Sequence, residues 1–199
     1  MGASAVRGHA LRGELESGDL HVLIDFSGGT LVGAIDGLGH GEEAALASRA
    51  AAAVCREHAG EPLTQLVQRC HTALRKTRGA VISLASFREA DSTLSWLGVG
   101  NVEGVLFRAD TAAKPMQEDL VCRPGIVGYQ IPALRERVLP VSFGDVLVFA
   151  TDGIDGRFVA VASPTRSEPG DLADEILRAY GKESDDALVV VACYSGAAR

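Results

Sequence analysis

The stretch Leu31–Val54, LVGAIDGLGHGEEAALASRAAAAV, constrains the fold more than any other part of the sequence. Its apolar first part is typical of a strand that ends on Asp36-Gly37, and its alanine-rich second part is typical of a helix. Gly39 and Gly41 keep the connection between them open. A carboxylate at the end of an apolar strand, next to exposed backbone and the start of a helix, indicates a binding site at this point.

The rest of the sequence predicts mainly strands, with two neighbouring helices early in the chain and one late. Gly28-Gly29 predicts a two-residue hairpin turn between strands Leu20–Phe26 and Thr30–Asp36. Pro62 and Asp171 predict the starts of the second and third helices. Because strands come in consecutive runs and do not alternate with helices, the predicted fold class is α+β. The other predicted strands are Val6–Leu11, Ala80–Phe87, Thr93–Gly100, Val102–Arg108, Leu134–Val141, Asp145–Gly153 and Asp185–Tyr194.

Length and composition limit the class of protein. A chain of 199 residues is long enough for one domain with a single core, so residues 1–199 are predicted to form a single domain. No apolar run approaches the roughly 18 residues that span a bilayer, and no signal-peptide core is evident, so we expect a cytoplasmic protein. The net charge of −7, without a basic stripe, argues against nucleic acid as a partner. The four cysteines form no C-x-x-C pair, so buried reduced thiols are expected instead of a zinc site.

Aspartates stand at the ends of several apolar strands. Asp36 and Asp152 end strands with the same Asp-Gly pair, Asp19 precedes another strand, and Asp185-Asp186 precede the last one. For each alone, the alternative is a turn former or cap. If they converge, two carboxylates 4 Å apart repel by about 4 kcal/mol at an effective dielectric constant near 20, and no lysine or arginine is adjacent in sequence. The all-oxygen set therefore predicts divalent magnesium or manganese, since the calcium-loop spacing is absent.

A linked set of motifs extends this interpretation to a family. The motifs are SGD (17–19), AIDGLGHG (34–41), LGVGNVEG (97–104), RPGIVGY (123–129), FATDGI (149–154) and SDDALVVV (184–191). In this order they resemble the metal-dependent serine/threonine protein phosphatases of type 2C, the PPM family. The resemblance is closest to the bacterial branch that controls sigma factors by partner switching, and within it to the stressosome feedback phosphatase.

The resemblance implies a four-layer αββα sandwich of two antiparallel sheets flanked by helices, with two Mn²⁺ or Mg²⁺ ions at one edge. It also implies the role of each residue. Asp36 would bridge the two ions and Gly37 would supply a carbonyl, Asp152 and Asp185 would bind the first ion, and Asp19 would act on the second. Asp36, Asp152 and Asp185 would be the catalytic residues, while the role of Asp186 stays open.

Two positions depart from the family pattern. Leu38 stands where some members have a histidine that is proposed to protonate the leaving group, and Glu14 stands where they have a phosphate-binding arginine. Arg12 is close to that position but is not assigned its role. His40 lies two residues further on, and it could donate a proton, orient a ligand or cap the helix; the structural role is favoured.

The implied activity is hydrolysis of phosphoserine or phosphothreonine by direct attack of a metal-bridging water. The implied partners are phosphorylated STAS-domain proteins of the stressosome, whose signalling the enzyme would reset. Neither nucleic acid nor a membrane is an expected partner. The alternatives are a phosphoprotein-binding pseudophosphatase without turnover and a small-molecule phosphoesterase. Ala109–Val121 and Ser163–Gly170 have the least regular pattern and are the expected docking loops.

Overall fold

The computed structural model describes residues 2–161 and 168–196 of the chain. In these ranges the strands are β1 (Ser4–His9), β2 (Asp19–Phe26), β3 (Gly29–Gly37), β4 (Ala80–Arg88), β5 (Thr93–Val99), β6 (Glu103–Phe107), β7 (Gln117–Asp119), β8 (Arg137–Pro140), β9 (Val146–Ala150) and β10 (Ala187–Cys193). The helices are α1 (Glu42–Glu57), α2 (Leu63–Ala73), α3 (Phe158–Val161) and α4 (Pro169–Tyr180), with a 3₁₀ turn at Leu74–Lys76.

The strands form two five-stranded antiparallel sheets. The first sheet has the order β1-β10-β9-β6-β7, and the second has the order β2-β3-β4-β5-β8. The second sheet is built from sequential hairpins, whereas the first pairs the N-terminal strand with the C-terminal one. The first and last strands of the chain are therefore neighbours within one sheet.

Three apolar clusters lie between four layers. One cluster joins α1 and α2 to the second sheet, and includes Leu31, Leu66 and Leu84. The middle cluster fills the space between the two sheets, around Trp96 and Phe149. The third lies between the first sheet and α4. The structure thus confirms the predicted α+β class and the αββα sandwich.

Several local predictions shift when the strands pair. The hairpin turn lies at Ser27-Gly28 instead of Gly28-Gly29, because Phe26 pairs with Gly29 and a side chain on Gly29 would lie 2.0 Å from the carbonyl oxygen of Phe87. Helix α4 begins at Pro169, so that Asp171 is in its first turn and does not cap it. Strand β7 and helix α3 are short elements that the sequence pattern did not indicate. In the described part of the chain, no helix is long and apolar enough to cross a membrane.

Candidate active site

Pairing of β2 with β3 brings the first two carboxylates together. Asp19 at the start of β2 lies directly opposite Asp36 near the end of β3, at the end of the hairpin away from its turn. Directly opposite residues of an antiparallel pair have Cβ atoms about 5 Å apart. The predicted association of Asp19 with Asp36 is therefore built into the register of one hairpin.

The other sheet supplies the remaining strand-end aspartates. Asp152 follows β9 and Asp185 precedes β10, and these strands are antiparallel neighbours with Ala150 opposite Val189. The end of β9 and the start of β10 consequently lie at the same edge of the first sheet. Because the two sheets are face to face, this edge adjoins the end of the β2–β3 hairpin.

The hydroxyl of Thr151 connects the two sheets at this edge. Its Oγ1 donates a hydrogen bond of 2.6 Å to the carboxylate of Asp19 and accepts one of 2.9 Å from the backbone N–H of Leu188. Both Thr151 and Asp19 are buried. This hydroxyl fixes one carboxylate of the second sheet against a strand pair of the first, a role that the sequence analysis missed.

The strand-end aspartates meet in a cleft of about 450 Å³. Asp36, Asp152 and Asp185 line it, and Asp19 lies buried beside them. The other lining residues are Leu11, Leu38, Gly39, His40, Val81, Asn101, Ile126 and Ser184. Carboxylates from two sheets thus open into one space that is large enough for a phosphate ester with its water.

The electrostatics of the cleft reflect this convergence. Burial first, and then the negative charges of the other strand-end aspartates, raise the pKa of the Asp36 carboxyl to about 8. Burial raises the pKa of Asp19 to about 7, against an opposing contribution from its hydrogen bond with Thr151. In the absence of a cation, the protein therefore keeps protons on carboxyl groups that would be ionised in water.

Asp186 has a different function from its neighbour Asp185. Its carboxylate is buried and accepts hydrogen bonds from the backbone N–H groups of Leu11 and Gly18, at 2.7 and 2.8 Å. These two bonds hold both ends of the loop that leads into Asp19. Asp186 thus positions the backbone before β2, and its carboxylate is already satisfied by two donors.

The glycines that follow Asp36 and Asp152 are required by close packing. A side chain on Gly37 would lie 2.1 Å from the carbonyl oxygen of Ala44 in α1, and one on Gly153 would lie 1.8 Å from the carbonyl oxygen of Asp186. Both distances are far below a van der Waals contact. The repeated Asp-Gly pair therefore lets the backbone next to each carboxylate pack against another element.

Two residues that the sequence analysis did not assign contact Asp152. The side-chain amide of Asn101 donates a hydrogen bond of 2.9 Å to its carboxylate. The ammonium of Lys182 donates one of 2.5 Å to its backbone carbonyl. Asn101 lies in the LGVGNVEG motif, which was the available signal, whereas Lys182 supplies a nearby cation that is 30 residues away in sequence.

Glu14 and His40 form a pair at the rim of the cleft. The imidazole Nδ1 lies 2.6 Å from the Glu14 carboxylate, and the His40 side chain is 57% exposed. A side chain on Gly41, at the start of α1, would lie 2.6 Å from the same carboxylate. The residue at the position of the family's arginine thus contacts His40 in this chain.

Most of the chain, including three of the strand-end aspartates, matches a known protein family. The family model for stage II sporulation protein E (SpoIIE) matches residues 27–195. The chain belongs to the SpoIIE family. The matched range contains Asp36, Asp152 and Asp185, and it excludes Asp19. This confirms the resemblance to PPM-type partner-switching phosphatases and identifies the protein as a serine/threonine protein phosphatase.

Solved structures agree with the fold of this SpoIIE-family phosphatase. A structure from a study of the bacterial stressosome as a modular system adapted to control secondary messenger signaling has a TM-score of 0.85 at 29% identity, and the match covers 94% of this chain and 97% of that one. RsbX in complex with magnesium has a TM-score of 0.83 at 18% identity, over 94% and 92%. The PP2C domain of SpoIIE from Bacillus subtilis, with a regulatory fragment, has a TM-score of 0.76 at 18% identity, over 99% and 64%. No curated protein sequence matches the chain significantly.

The donor set fits the metals that phosphatases of this family generally require, manganese or magnesium. As the side chains stand, no three His, Cys, Asp or Glu residues in ranges 2–161 and 168–196 are grouped closely enough to hold an ion. The chemistry is nevertheless suitable, because carboxylate oxygens are the preferred ligands of these cations. A divalent cation would also favour the ionised forms of Asp19 and Asp36, whose pKa values are raised by burial and by the neighbouring carboxylates.

The raised pKa values predict how the stability of the metal-free protein depends on pH. The folded state holds the protons of Asp19 and Asp36 more tightly than the unfolded state does. The contribution of these two groups to the free energy of unfolding should therefore be greatest below the unfolded pKa of about 4, and should fall by up to about 1.4 kcal/mol per pH unit and group until pH 7–8. Urea unfolding of the chelated protein at about pH 5.5 and pH 8 measures this fall. Asp36→Asn removes one of the two groups and should make the fall shallower; an equal fall in this variant would contradict the assignment.

Proposed function

We propose that this phosphatase removes phosphate from serine or threonine on STAS-domain proteins of the stressosome and so resets a stress-signalling cascade in the cytoplasm. The observation that carries the chemistry is the meeting of strand-end carboxylates from both sheets in one cleft. The choice of substrate is supported by the 29%-identical structure from the stressosome study. On this proposal, residues 1–199 act as a single catalytic domain.

The residues of the cleft suit distinct roles in holding two divalent cations. Asp36 is paired with Asp19 of its own hairpin and its charge also interacts with those of the aspartates of the other sheet, so it is assigned the bridging position, with the Gly37 carbonyl beside it. Asp152 and Asp185 are assigned to the first ion. Asp19 is the most buried ligand candidate and is assigned to the second.

When bound, the two cations would lower the pKa of a shared water and neutralise the phosphoryl oxygens. The chain itself orients its carboxylates: Asn101 holds that of Asp152 and Thr151 holds that of Asp19. In the hydrolysis, water gives up a proton and forms a new P–O bond as the ester P–O bond breaks, and the serine or threonine oxygen leaves and takes up a proton, so that the alcohol and inorganic phosphate are the products. Asp36, Asp152 and Asp185 are the proposed catalytic residues, and no covalent enzyme intermediate is involved.

His40 is expected to have a structural role at the rim of the cleft. Its Nδ1 is held by Glu14, and Leu38 takes the position where other family members carry a histidine. The variant His40→Ala should therefore lower the turnover of an aryl phosphate by less than about tenfold and should keep the acid limb of the pH–rate profile. If the limb near about pH 6–7 disappears, His40 is instead the proton donor to the leaving group.

The substrate is tested by presenting purified phosphorylated stressosome proteins and unrelated phosphoproteins at equal concentrations, with manganese, and following phosphate release by mass spectrometry. We expect dephosphorylation of the STAS-domain proteins to be faster by at least about tenfold. Equal rates on all phosphoproteins would reject the stressosome assignment and leave the phosphatase chemistry standing. Tight binding to these proteins without any phosphate release would identify the chain as a phosphoprotein-binding pseudophosphatase.

A further inference from the structure

Tyr129 is an aromatic side chain held in solvent by a rigid turn. It is 80% exposed, yet the backbone of Ile126 and Gln130 on either side exchanges two hydrogen bonds, of 2.8 and 2.9 Å. Within the turn, Val127 exchanges two backbone bonds with Ala80, of 2.8 and 3.0 Å. The exposure of Tyr129 is therefore not the result of a loosely held loop.

Gly128, the residue before Tyr129, adds a further constraint on this turn. The backbone N–H of Gly128 donates a 3.0 Å hydrogen bond to Nδ1 of the buried His71. Gly128 has a φ of +104°, and a side chain there would lie 2.9 Å from Leu74. The turn is thus fixed against α2 and the following 3₁₀ turn. A tyrosine on a fixed backbone has only two side-chain torsions to order on binding, which is one reason why such residues often dominate interfaces.

The surface around Tyr129 is continuous with the carboxylate cleft. Ile126 lines the cleft and also a hollow of about 480 Å³ that is lined by Tyr129 and Pro124. Pro132 lines this hollow and also a smaller one, of about 50 Å³, that is lined by Arg123 and Arg135. The Tyr129 surface, defined as Arg123, Pro124, Ile126, Tyr129, Pro132 and Arg135, therefore extends directly from the proposed site of hydrolysis.

The charge of this surface is opposite to that of the whole chain. Arg123 and Arg135 are exposed, and neither forms a side-chain hydrogen bond or ion pair with any residue in the described ranges. The nearby Arg137, by contrast, is paired with Glu118, and the carboxylate of Glu136 accepts a 2.8 Å hydrogen bond from the backbone of α2. A chain with a net charge of −7 thus presents two free cations beside an apolar hollow.

We propose that the Tyr129 surface binds an acidic segment of the phosphoprotein substrate, with an apolar side chain in the hollow beside Tyr129 and carboxylates near Arg123 and Arg135. This inference rests on the proposed phosphatase function, because the phosphorylated residue would occupy the adjoining cleft. It places docking mainly outside the loops expected from the sequence, although Val121, at the end of one of them, lines the same small hollow as Arg123 and Arg135. Of those, Ala109–Val121 contains the edge strand β7, and Ser163–Gly170 lies largely outside the described residues.

Two phosphoserine peptides of equal length test the proposal, one flanked by glutamate and leucine and the other by glycine and serine. Catalytic efficiency (kcat/KM) is measured with manganese, and binding is measured independently by fluorescence anisotropy. The wild-type protein should favour the acidic peptide by about tenfold or more in both. Tyr129→Ala, and separately the double variant Arg123→Glu/Arg135→Glu, should remove most of this preference and leave aryl phosphate turnover unchanged.

Phe143→Ala is the matched control. Phe143 is 77% exposed, and it precedes β9, whereas Asp152 follows that strand. This variant should keep the full preference for the acidic peptide. Equal binding of both peptides by the wild type, or an undiminished preference in the Tyr129 and arginine variants, would overturn the proposal. A concentration-dependent dimer that Tyr129→Ala dissociates, without an effect on the peptides, would show that a second copy of the chain covers this surface instead.

The anisotropy measurement separates the two proposals. If the protein hydrolyses neither peptide nor aryl phosphate, the proposed phosphatase function fails. The binding preference and its loss in the variants then still decide whether the Tyr129 surface recognises acidic segments.

Discussion

Replacement of Asp36 by asparagine should lower the turnover of an aryl phosphate by on the order of a thousandfold or more, while the fold is preserved. Asparagine has nearly the same shape, so the pairing with Asp19 across the hairpin can remain. It lacks the charge with which Asp36, in its proposed bridging position, would hold two cations. Asp152→Asn should have a similar effect on turnover, because it also removes the charge of a proposed metal ligand. The amide of Asn101 donates a hydrogen bond to this carboxylate in the wild-type protein.

Steady-state kinetics of the folded variants, with circular dichroism as the check of the fold, measures this effect. Asp25→Asn is a matched control in the same hairpin, since Asp25 lies near its turn and accepts a 2.6 Å hydrogen bond from Thr30. This variant should retain nearly full activity. Near wild-type turnover in folded Asp36→Asn would show that Asp36 does not bridge the metals.

Exhaustive removal of divalent cations should abolish turnover, and manganese or magnesium should restore it. The cleft is lined or adjoined by carboxylates, and two of them, Asp19 and Asp36, have raised pKa values. Lys182 lies nearby, but its ammonium donates its hydrogen bond to the backbone carbonyl of Asp152 and not to a carboxylate. On the proposed mechanism, water activation and charge neutralisation in the cleft would therefore depend on the cations. Phosphate release from aryl phosphate before and after chelation, and after addition of each metal, measures the requirement.

Thermal unfolding gives a second measurement of the same requirement that does not depend on turnover. A ligand at about 100 times its dissociation constant stabilises the folded state by about 2.7 kcal/mol, so manganese should raise the melting temperature of the chelated protein. The rise should be much smaller in Asp36→Asn. Full activity after chelation, together with a melting temperature that manganese does not change, would exclude the two-metal site.

Several features of the site followed from local sequence. The apolar run that ends on Asp36-Gly37 predicted where β3 ends, because the pattern of apolar residues and the glycine that follows are properties of neighbouring residues. Strand β9, by contrast, ends at Ala150, short of the predicted end at Gly153. The α+β class followed from consecutive strands, and the family motifs gave the order of the layers. The assignment of Asp36, Asp152 and Asp185 to one site was a prediction from these motifs, and the structure places all three in one cleft.

The contacts that distinguish these aspartates could not be predicted from the sequence. Asp185 and Asp186 are adjacent and chemically identical, yet one lines the cleft and the other anchors the backbone of Leu11 and Gly18. Successive side chains next to a strand point in different directions, so Asp185 and Asp186 face different surroundings. Only the position of the loop that contains Leu11 and Gly18 decides which of the two carboxylates meets backbone N–H donors.

The apolar pattern by itself determined most of the strands and the three longer helices, and the strand-end aspartates gave the candidate carboxylates, because these depend on residues that are close together in the chain. Only the tertiary structure decided that Thr151 holds Asp19, that Lys182 contacts Asp152 and that Tyr129 is fixed beside the cleft. Each of these depends on segments brought together by the packing of two sheets and their helices. Such contacts follow from the register and stacking of distant strands, which no local pattern of residues specifies.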